Sequence, residues 1–259
     1  MTTFEFLYLC AEPFCPPLQR EIRTKLKRIV AAGPKGMKIL DSGGRFSNYT
    51  IGLPASITVT DLPRNTAVQH SLHLGTTDTR MDRLLRRRSN VPAALYDDMT
   101  HSNLPDNSFD CVVAVEVLEH VERDDLFVAE VKRVLKPGMT FLMSTPNGEF
   151  VVNRNPDHKR HYTRQQLKDL LNQHFTNVEV DYAVRTGYFY GLSLRSWSWR
   201  HPLRTVFTML GAWITAFQSA DKSVRTDHHG THQLIAWMVK DEEAVEQRSR
   251  SMSATVGKA

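Results

Sequence analysis

The chain of 259 residues is poor in cysteine and contains no long apolar run. Its three cysteines, Cys10, Cys15 and Cys111, fit no zinc-binding spacing, and Cys111 lies in an apolar run of buried character, so we expect no disulfide framework. No stretch of about 18 uninterrupted apolar residues occurs, and the first residues lack the basic region and apolar core of a secretory signal. We therefore expect a cytoplasmic protein with neither a leader nor a membrane span.

The charge balance is moderately basic, with 33 lysine and arginine residues against 28 acidic ones. Basic and acidic residues are interspersed apart from one arginine cluster, which comprises Arg80, Arg83, Arg86, Arg87 and Arg88. We interpret this cluster as the solvated face of a helix. An anionic substrate or a nucleic acid is the alternative partner for it.

Short apolar runs alternate with helical or looped stretches along most of the chain. Strands are predicted at 37–41, 56–61, 93–96, 109–115, 140–144, 178–183 and 233–239, and helices at 18–32, 118–135 and 165–174, the last capped by Thr163. Crossovers of this length indicate an α/β fold with a Rossmann-like, seven-stranded, mostly parallel, doubly wound sheet and helices on both faces.

The length favours one domain with additions. Residues 1–35 are expected to form a helical lead-in, 36–240 the domain itself and 241–259 a disordered tail. Residues 188–229 are rich in aromatic side chains and form an insertion, a candidate lid over a substrate. Within it, residues 203–217 are apolar with a basic lead-in. A peripheral contact with a membrane, a helix that completes the core and a homodimer interface remain open for this segment.

Residues 38–47, KILDSGGRFS, predict a strand that runs into Asp41 and the glycines Gly43 and Gly44. Glycines suit a sharp turn that brings the backbone close to a ligand at the carboxyl end of a strand. The second predicted strand ends in Asp61, which is placed to accept hydrogen bonds from the two hydroxyls of an adenosine ribose. Nicotinamide-dependent oxidoreductases use the same arrangement, so these features alone leave two classes open.

Five further segments decide between the two classes. They are YDDMT at 96–100, LPDNSFD at 104–110, EVLEHV at 116–121, KRVLKPG at 132–138 and STPN at 144–147. In this order they resemble the class I S-adenosylmethionine-dependent methyltransferase superfamily, over roughly residues 37–171. An oxidoreductase is disfavoured because the second and third segments have no role in one.

The resemblance implies S-adenosyl-L-methionine as the cofactor. The implied cofactor-binding residues are Asp41, Gly43 and Gly44 at the methionine part, Asp61 at the ribose, Asp98 and the backbone of Met99 at the adenine, and Glu116. The family usually has glycines where Arg45 and Ser47 stand here. A catalytically degenerate, cofactor-binding partner protein therefore remains an alternative.

A divalent metal is a second candidate ligand. Spacing of i, i+3 and i+4 would place Glu116, Glu119 and His120 on one helical face, with His158 or His161 from a later loop as a fourth ligand. Two carboxylates and two imidazoles suit Mn, Fe, Co or Zn better than Mg. Without a metal, His158 or His161 is the candidate catalytic base.

The same constellation resembles two families of metal-using methyltransferases. One comprises the ubiquinone-pathway O-methyltransferases and the other the small-RNA 3′-end 2′-O-methyltransferases, in which a metal is implied to hold two neighbouring oxygens of the acceptor. We expect O-methylation of a small-molecule hydroxyl on a phenolic, quinone-like or sugar-containing metabolite. RNA 2′-O-methylation is the alternative, favoured by the basic balance and opposed by the lack of an appended RNA-binding module.

Overall fold

The computed structural model of the chain describes residues 1–44, 47–64, 75–195, 197–198 and 200–242. Two expectations fall on other residues. They are the effect of Arg45 on the glycine turn and the character of the tail from residue 243 onward, and both lie outside the described residues.

The described residues contain seven strands, which form one sheet. They are β1 (Lys38–Ser42), β2 (Ser56–Asp61), β3 (Ala93–Tyr96), β4 (Phe109–Val115), β5 (Leu135–Pro146), β6 (Glu179–Arg185) and β7 (Thr231–Val239). Their order is β3-β2-β1-β4-β5-β7-β6, and β7 runs antiparallel to both of its neighbours while the other pairs are parallel. The predicted strands and the predicted Rossmann-like α/β sheet are confirmed.

Helices connect the strands and pack on the sheet. They are α1 (Thr3–Ala11), α2 (Pro17–Ala32), α3 (Asp78–Arg87), α4 (Asp124–Val134), α5 (Arg164–Asn172), α6 (Tyr188–Ser193) and α7 (Pro202–Ser219), with 3-10 turns at Glu12–Phe14, Leu118–His120 and Lys222–Arg225. The predicted cap of α5 is confirmed. The Thr163 hydroxyl accepts from the Gln166 N–H, and the Gln166 side chain accepts from the Thr163 N–H.

Strand β4 shows that both faces of the sheet are covered. Val112 packs in a cluster that includes Leu167 of α5, whereas its neighbour Cys111 packs in a cluster that includes Ile22 and Leu26 of α2. All five side chains are fully buried. Because helices occupy both faces, the carboxyl ends of the parallel strands are where a ligand can approach.

The predicted helix over 118–135 is wrong at its start. Leu118–His120 is a 3-10 turn, and α4 begins only at Asp124. Glu116 has a φ of +54°, a left-handed conformation that redirects the chain as it leaves β4 and cannot belong to a helix. Glu116, Glu119 and His120 therefore do not share a helical face.

The arginine cluster divides into exposed and buried members. Arg83 and Arg86 are exposed on α3, as a solvated helix face requires. Arg88 is only 4% exposed, and its guanidinium donates to the Ser47 carbonyl at 3.0 Å. The solvated interpretation is wrong for Arg88, because the chain turns inward directly after α3 and brings this side chain to the loop after β1.

Candidate active site

A cavity of about 630 Å³ opens at the carboxyl ends of the parallel strands. Asp61 at the end of β2, Asp98 after β3 and Glu116 after β4 all line it, as do Gly43 and Met99. The structure thus brings together five of the seven expected cofactor residues. The volume of the cavity lies in the range typical of small-molecule sites, about 300 to 1,000 Å³.

The carboxylates of this cavity are held by neighbouring backbone groups. Asp61 accepts from the Leu62 N–H at 2.8 Å, and Asp98 accepts from the Thr100 N–H at 2.9 Å. Asp97 also lines the cavity, and its buried Oδ2 has no hydrogen-bond partner among the described residues. A buried acceptor without a donor is costly, so the wall is suited to a ligand that donates hydrogen bonds.

Position 43 has no room for a side chain, so it requires a glycine. Its φ is +71°, and a Cβ there would lie 2.6 Å from Cγ2 of Val117. The first glycine of the predicted turn therefore allows the backbone to pass close to Val117, which lines the same cavity.

Asp41 and Gly44 have a different place from the one expected. Neither is among the residues that line the cavity. The buried Asp41 carboxylate accepts from the Tyr49 hydroxyl at 2.8 Å and from the Thr50 hydroxyl at 3.1 Å, and burial raises its pKa. Asp41 thus positions Tyr49, which does line the cavity.

Two buried arginines hold the loop after β1. Arg23 of α2 donates to the carbonyls of Tyr49 and Ile51 at 3.1 and 2.7 Å. Arg88 donates to the Thr50 hydroxyl at 2.6 Å. These contacts fix the loop that carries Tyr49, and no local pattern predicts them because both arginines are far away along the chain.

Three metal-ligating types of side chain form a second group at the site. Glu119, His120 and His158 each offer a ligand atom, and these atoms lie within 4.8 Å of one another. The Lys159 N–H donates a backbone hydrogen bond of 2.7 Å to the Glu119 carbonyl, which joins the two segments that carry these three side chains. Three of the four predicted metal ligands therefore come together.

Glu116 is not part of this trio. Its carboxylate accepts from the Ser144 hydroxyl at 3.0 Å, and burial raises its pKa to about 7. The left-handed turn at Glu116 sends its side chain into the wall of the cavity, so the prediction of Glu116 as a metal ligand is corrected.

The hydrogen bonds of the histidines determine which nitrogens carry protons. The Val151 carbonyl can only accept, so Nδ1 of His161, at 2.9 Å, carries hydrogen and leaves Nε2 to accept from Nδ1 of His158 at 2.7 Å. Nδ1 of His120 lies 2.5 Å from the Asp157 carboxylate. His158 therefore keeps an Nε2 lone pair, and His120 has a carboxylate beside its Nδ1, a partner that metal-binding histidines often have.

Glu119 complements these two nitrogens. Its Oε2 accepts from the Thr145 hydroxyl at 3.2 Å, whereas its Oε1 is buried without a hydrogen-bond partner among the described residues. Burial, followed by the nearby Glu116 carboxylate, raises the pKa of Glu119 well above its usual value. A buried carboxylate with an oxygen within 4.8 Å of a nitrogen of each imidazole fits a divalent cation that accepts nitrogen and oxygen ligands.

The two candidate catalytic histidines lie behind the cavity wall. Neither His158 nor His161 lines the cavity, whereas His120 and Asp157 do. Burial lowers the pKa of His158 to about 4, so its ring is neutral near pH 7. His161 supports His158 through their hydrogen bond, which is a positioning role.

The fold and this site define a Rossmann-like α/β domain with acidic strand ends around one cavity. Residues 52–143 match the family model of a methyltransferase domain, a segment that includes Asp61, Asp98 and Glu119. Over this segment the chain is similar to methyltransferase domains.

Among curated proteins, the chain is 39% identical over 114 residues to a probable S-adenosylmethionine-dependent methyltransferase of Mycolicibacterium smegmatis. The similarity covers 40% of this chain and 43% of that relative, so the chain matches less than half of the relative's length.

Two solved structures show the same fold. The YcgJ protein of Bacillus subtilis has a TM-score of 0.54 at 15% identity, over 86% of this chain and 99% of that one. Phosphoethanolamine N-methyltransferase 2 of Haemonchus contortus, in complex with S-adenosyl-L-methionine, has a TM-score of 0.55 at 16% identity, over 86% of this chain and 52% of that one. Identities this low bear on the fold alone.

Proposed function

We propose that the chain transfers the methyl group of S-adenosylmethionine to a hydroxyl of a small molecule and that a divalent cation assists the transfer. One observation carries the proposal. The cavity lined by Asp61 and Asp98 is also lined by His120, a member of the trio with Glu119 and His158. The candidate cation site thus adjoins the candidate cofactor cavity through His120.

The cofactor half has groups for an adenosine. Asp61 is placed to accept from ribose hydroxyls and Asp98 from an adenine amino group, and the buried Oδ2 of Asp97 offers a further acceptor. Gly43 allows the backbone to approach the amino-acid end of the cofactor. Bound there, the sulfonium cofactor supplies an activated methyl group, and the protein's contribution is to align it with the acceptor.

The trio has the donor set for Mn, Fe, Co or Zn, with one carboxylate and two imidazoles. A cation held by Glu119, His120 and His158 would act as a Lewis acid that lowers the pKa of an acceptor hydroxyl. Asp157 and His161 fix the two ligand rings in the orientation this requires. An acceptor with two neighbouring oxygens, such as a catechol or a vicinal diol, suits such a site.

The test is methyl transfer from methyl-labelled S-adenosylmethionine to a panel of catechols, vicinal diols and a short RNA with a free 3′-terminal ribose. The enzyme is first treated with a chelator, its metal content is measured, and Mn²⁺, Co²⁺, Zn²⁺ or Mg²⁺ is then added back. We expect O-methylated small molecules, turnover that chelation removes, and recovery with the first three cations.

Turnover that is indifferent to the chelator would contradict the cation and leave the His158 lone pair as the base. Methylation of the RNA alone would contradict the small-molecule acceptor. Cofactor binding without methylation of any acceptor in the panel would contradict the enzyme and support the cofactor-binding partner protein.

A further inference from the structure

Helix α7 presents an unusual surface. Large apolar side chains, each between 47% and 75% exposed, lie along it at Leu203, Val206, Phe207, Leu210, Trp213 and Phe217. We call these six residues the apolar face. Their spacing follows the helical repeat, so they form one continuous stripe on one side of the helix.

The opposite side of α7 explains why the large residues point outward. Its buried residues are small: Thr208, Gly211, Ala212 and Thr215. A Cβ on Gly211 would lie 2.9 Å from both the Phe189 carbonyl oxygen and the Leu192 Cβ of α6. The helix is therefore packed closely against the domain through its small side, and a rotation that buried Trp213 or Phe217 would not fit.

Side chains of the apolar face pack against one another. The rings of Trp213 and Phe217 stack with an interplanar angle of 17° and centroids 6.4 Å apart. Exposed apolar side chains continue before α7, where Leu194 is 60% and Trp197 is 42% exposed. A contiguous apolar patch of this kind marks a binding surface.

The charge around the apolar face identifies the chemistry of its partner. Residues 184–220 contain no aspartate or glutamate, although the chain has 28 acidic residues. Arg195 and Arg200 are exposed in the same segment. The surface therefore combines tryptophan, phenylalanine and leucine with two exposed cationic groups, in a segment that contains no acidic residue.

We infer that α7 docks the protein on a membrane surface that contains anionic lipids. A helix with large apolar residues on one side and flanking arginines lies in the plane of the interface, with its apolar face at the boundary between headgroups and acyl chains. Anionic headgroups supply the negative charge that residues 184–220 lack.

A second copy of the chain fits this surface less well. A symmetric dimer would place the apolar face against itself and bring the two arginine-rich segments together. Like charges across an interface are unfavourable, and residues 184–220 offer no acidic partner.

Among the described residues, no helix is long and apolar enough to cross a membrane.

The inference is tested by flotation of the full chain with vesicles. One set contains equal parts of phosphatidylglycerol and phosphatidylcholine, and the other contains phosphatidylcholine alone. We expect binding to the first set that weakens at high salt, and little binding to the second. Equal binding to both sets would contradict the role assigned to the arginines.

Two variants examine the two parts of the surface. The triple variant Phe207→Ser, Trp213→Ser, Phe217→Ser is expected to bind vesicles at least about 100-fold more weakly. The double variant Arg195→Gln, Arg200→Gln is expected to lose roughly fivefold per arginine. Because these side chains are exposed, thermal melting should stay close to that of the parent.

The matched control is Leu85→Ser with Leu126→Ser, which removes two exposed leucines on α3 and α4, 37% and 39% exposed. This variant should bind vesicles like the parent. Unchanged vesicle binding by the triple variant would overturn the inference. A parent that binds no vesicles, and that sediments as a dimer which the triple variant dissociates, would overturn it in favour of a second copy.

Discussion

The two halves of the active site are built in different ways. The cofactor half takes Asp61, Asp98 and Glu116 from the carboxyl ends of β2, β3 and β4. These strands are parallel and belong to one sheet, so the sheet itself aligns the three residues. The trio of Glu119, His120 and His158 instead joins a 3-10 turn after β4 to a loop after β5. The first half depends on sheet register, and the second depends on contacts between two loops.

This difference predicts that the halves can be damaged separately. A change in the trio should remove the assistance of the cation while leaving cofactor affinity intact. A change at the strand ends should weaken cofactor binding while leaving metal content intact. The following changes are ordered from the largest expected effect to the smallest.

Glu119→Gln keeps the size of the side chain and the contact with Thr145 but removes a charged ligand. We expect a fall of more than about 100-fold in metal-stimulated turnover, with unchanged affinity for S-adenosylmethionine. Kinetics with added metal and calorimetric titration of the cofactor check the two parts. Glu179→Gln, an exposed glutamate on β6, is the control. An equal loss of cofactor affinity would mean that the halves are not separate.

Asp61→Ala acts on the other half. Loss of a charged acceptor for ribose hydroxyls should cost about 1.5 to 3 kcal/mol, or roughly 10- to 150-fold in cofactor affinity. Metal content, measured by elemental analysis, should match that of the parent. Unchanged calorimetric affinity for the cofactor would remove Asp61 from the site.

Tyr49→Phe probes the support of the cofactor half. The ring remains, but the buried Asp41 carboxylate loses the hydroxyl that donates to it at 2.8 Å. The free energy of unfolding should fall by about 1 to 3 kcal/mol, because a buried acceptor is left with fewer donors. Urea denaturation measures this, and an unchanged midpoint and slope would show that the hydroxyl does not stabilise Asp41.

His232 concerns the dependence of stability on pH. Burial lowers its pKa from 6.5 to about 4, so the folded protein holds this ring neutral. Its contribution to stability is therefore complete above pH 6.5 and is lost as the pH falls toward 4. Urea denaturation at a series of pH values should show a smaller acid-induced loss for His232→Asn than for the parent. An identical loss in both would contradict the shift.

The strands and the acidic residues at their ends were predictable because each depends on a short local pattern. A buried parallel strand is a run of apolar residues, and its carboxyl end is where open α/β sheets bind ligands. Asp61 and Asp98 could therefore be placed from sequence. The capping box at Thr163 is local in the same way.

Other features depend on contacts that no local pattern records. The hydrogen bonds of Arg23 and Arg88 to the loop after β1, which carries Tyr49, join segments that are distant along the chain. The left-handed turn at Glu116 breaks the helical spacing on which its role as a metal ligand was based.

Helices α2 and α7 show a further limit. Both are amphipathic, yet α2 buries large residues such as Ile22 and Leu26, whereas α7 buries Gly211 and Ala212 and exposes large ones such as Trp213. The spacing of apolar residues predicts that each helix has two different faces. Which face turns inward depends on the space that the neighbouring elements leave.

The experiment that bears on the whole account is calorimetric titration of the full chain with S-adenosylmethionine, S-adenosylhomocysteine and NAD, with and without Mn²⁺. The account predicts that the first two ligands bind, that NAD does not, and that Asp61→Ala weakens both bound ligands. Binding of NAD, or no binding of S-adenosylmethionine in either condition, would contradict it.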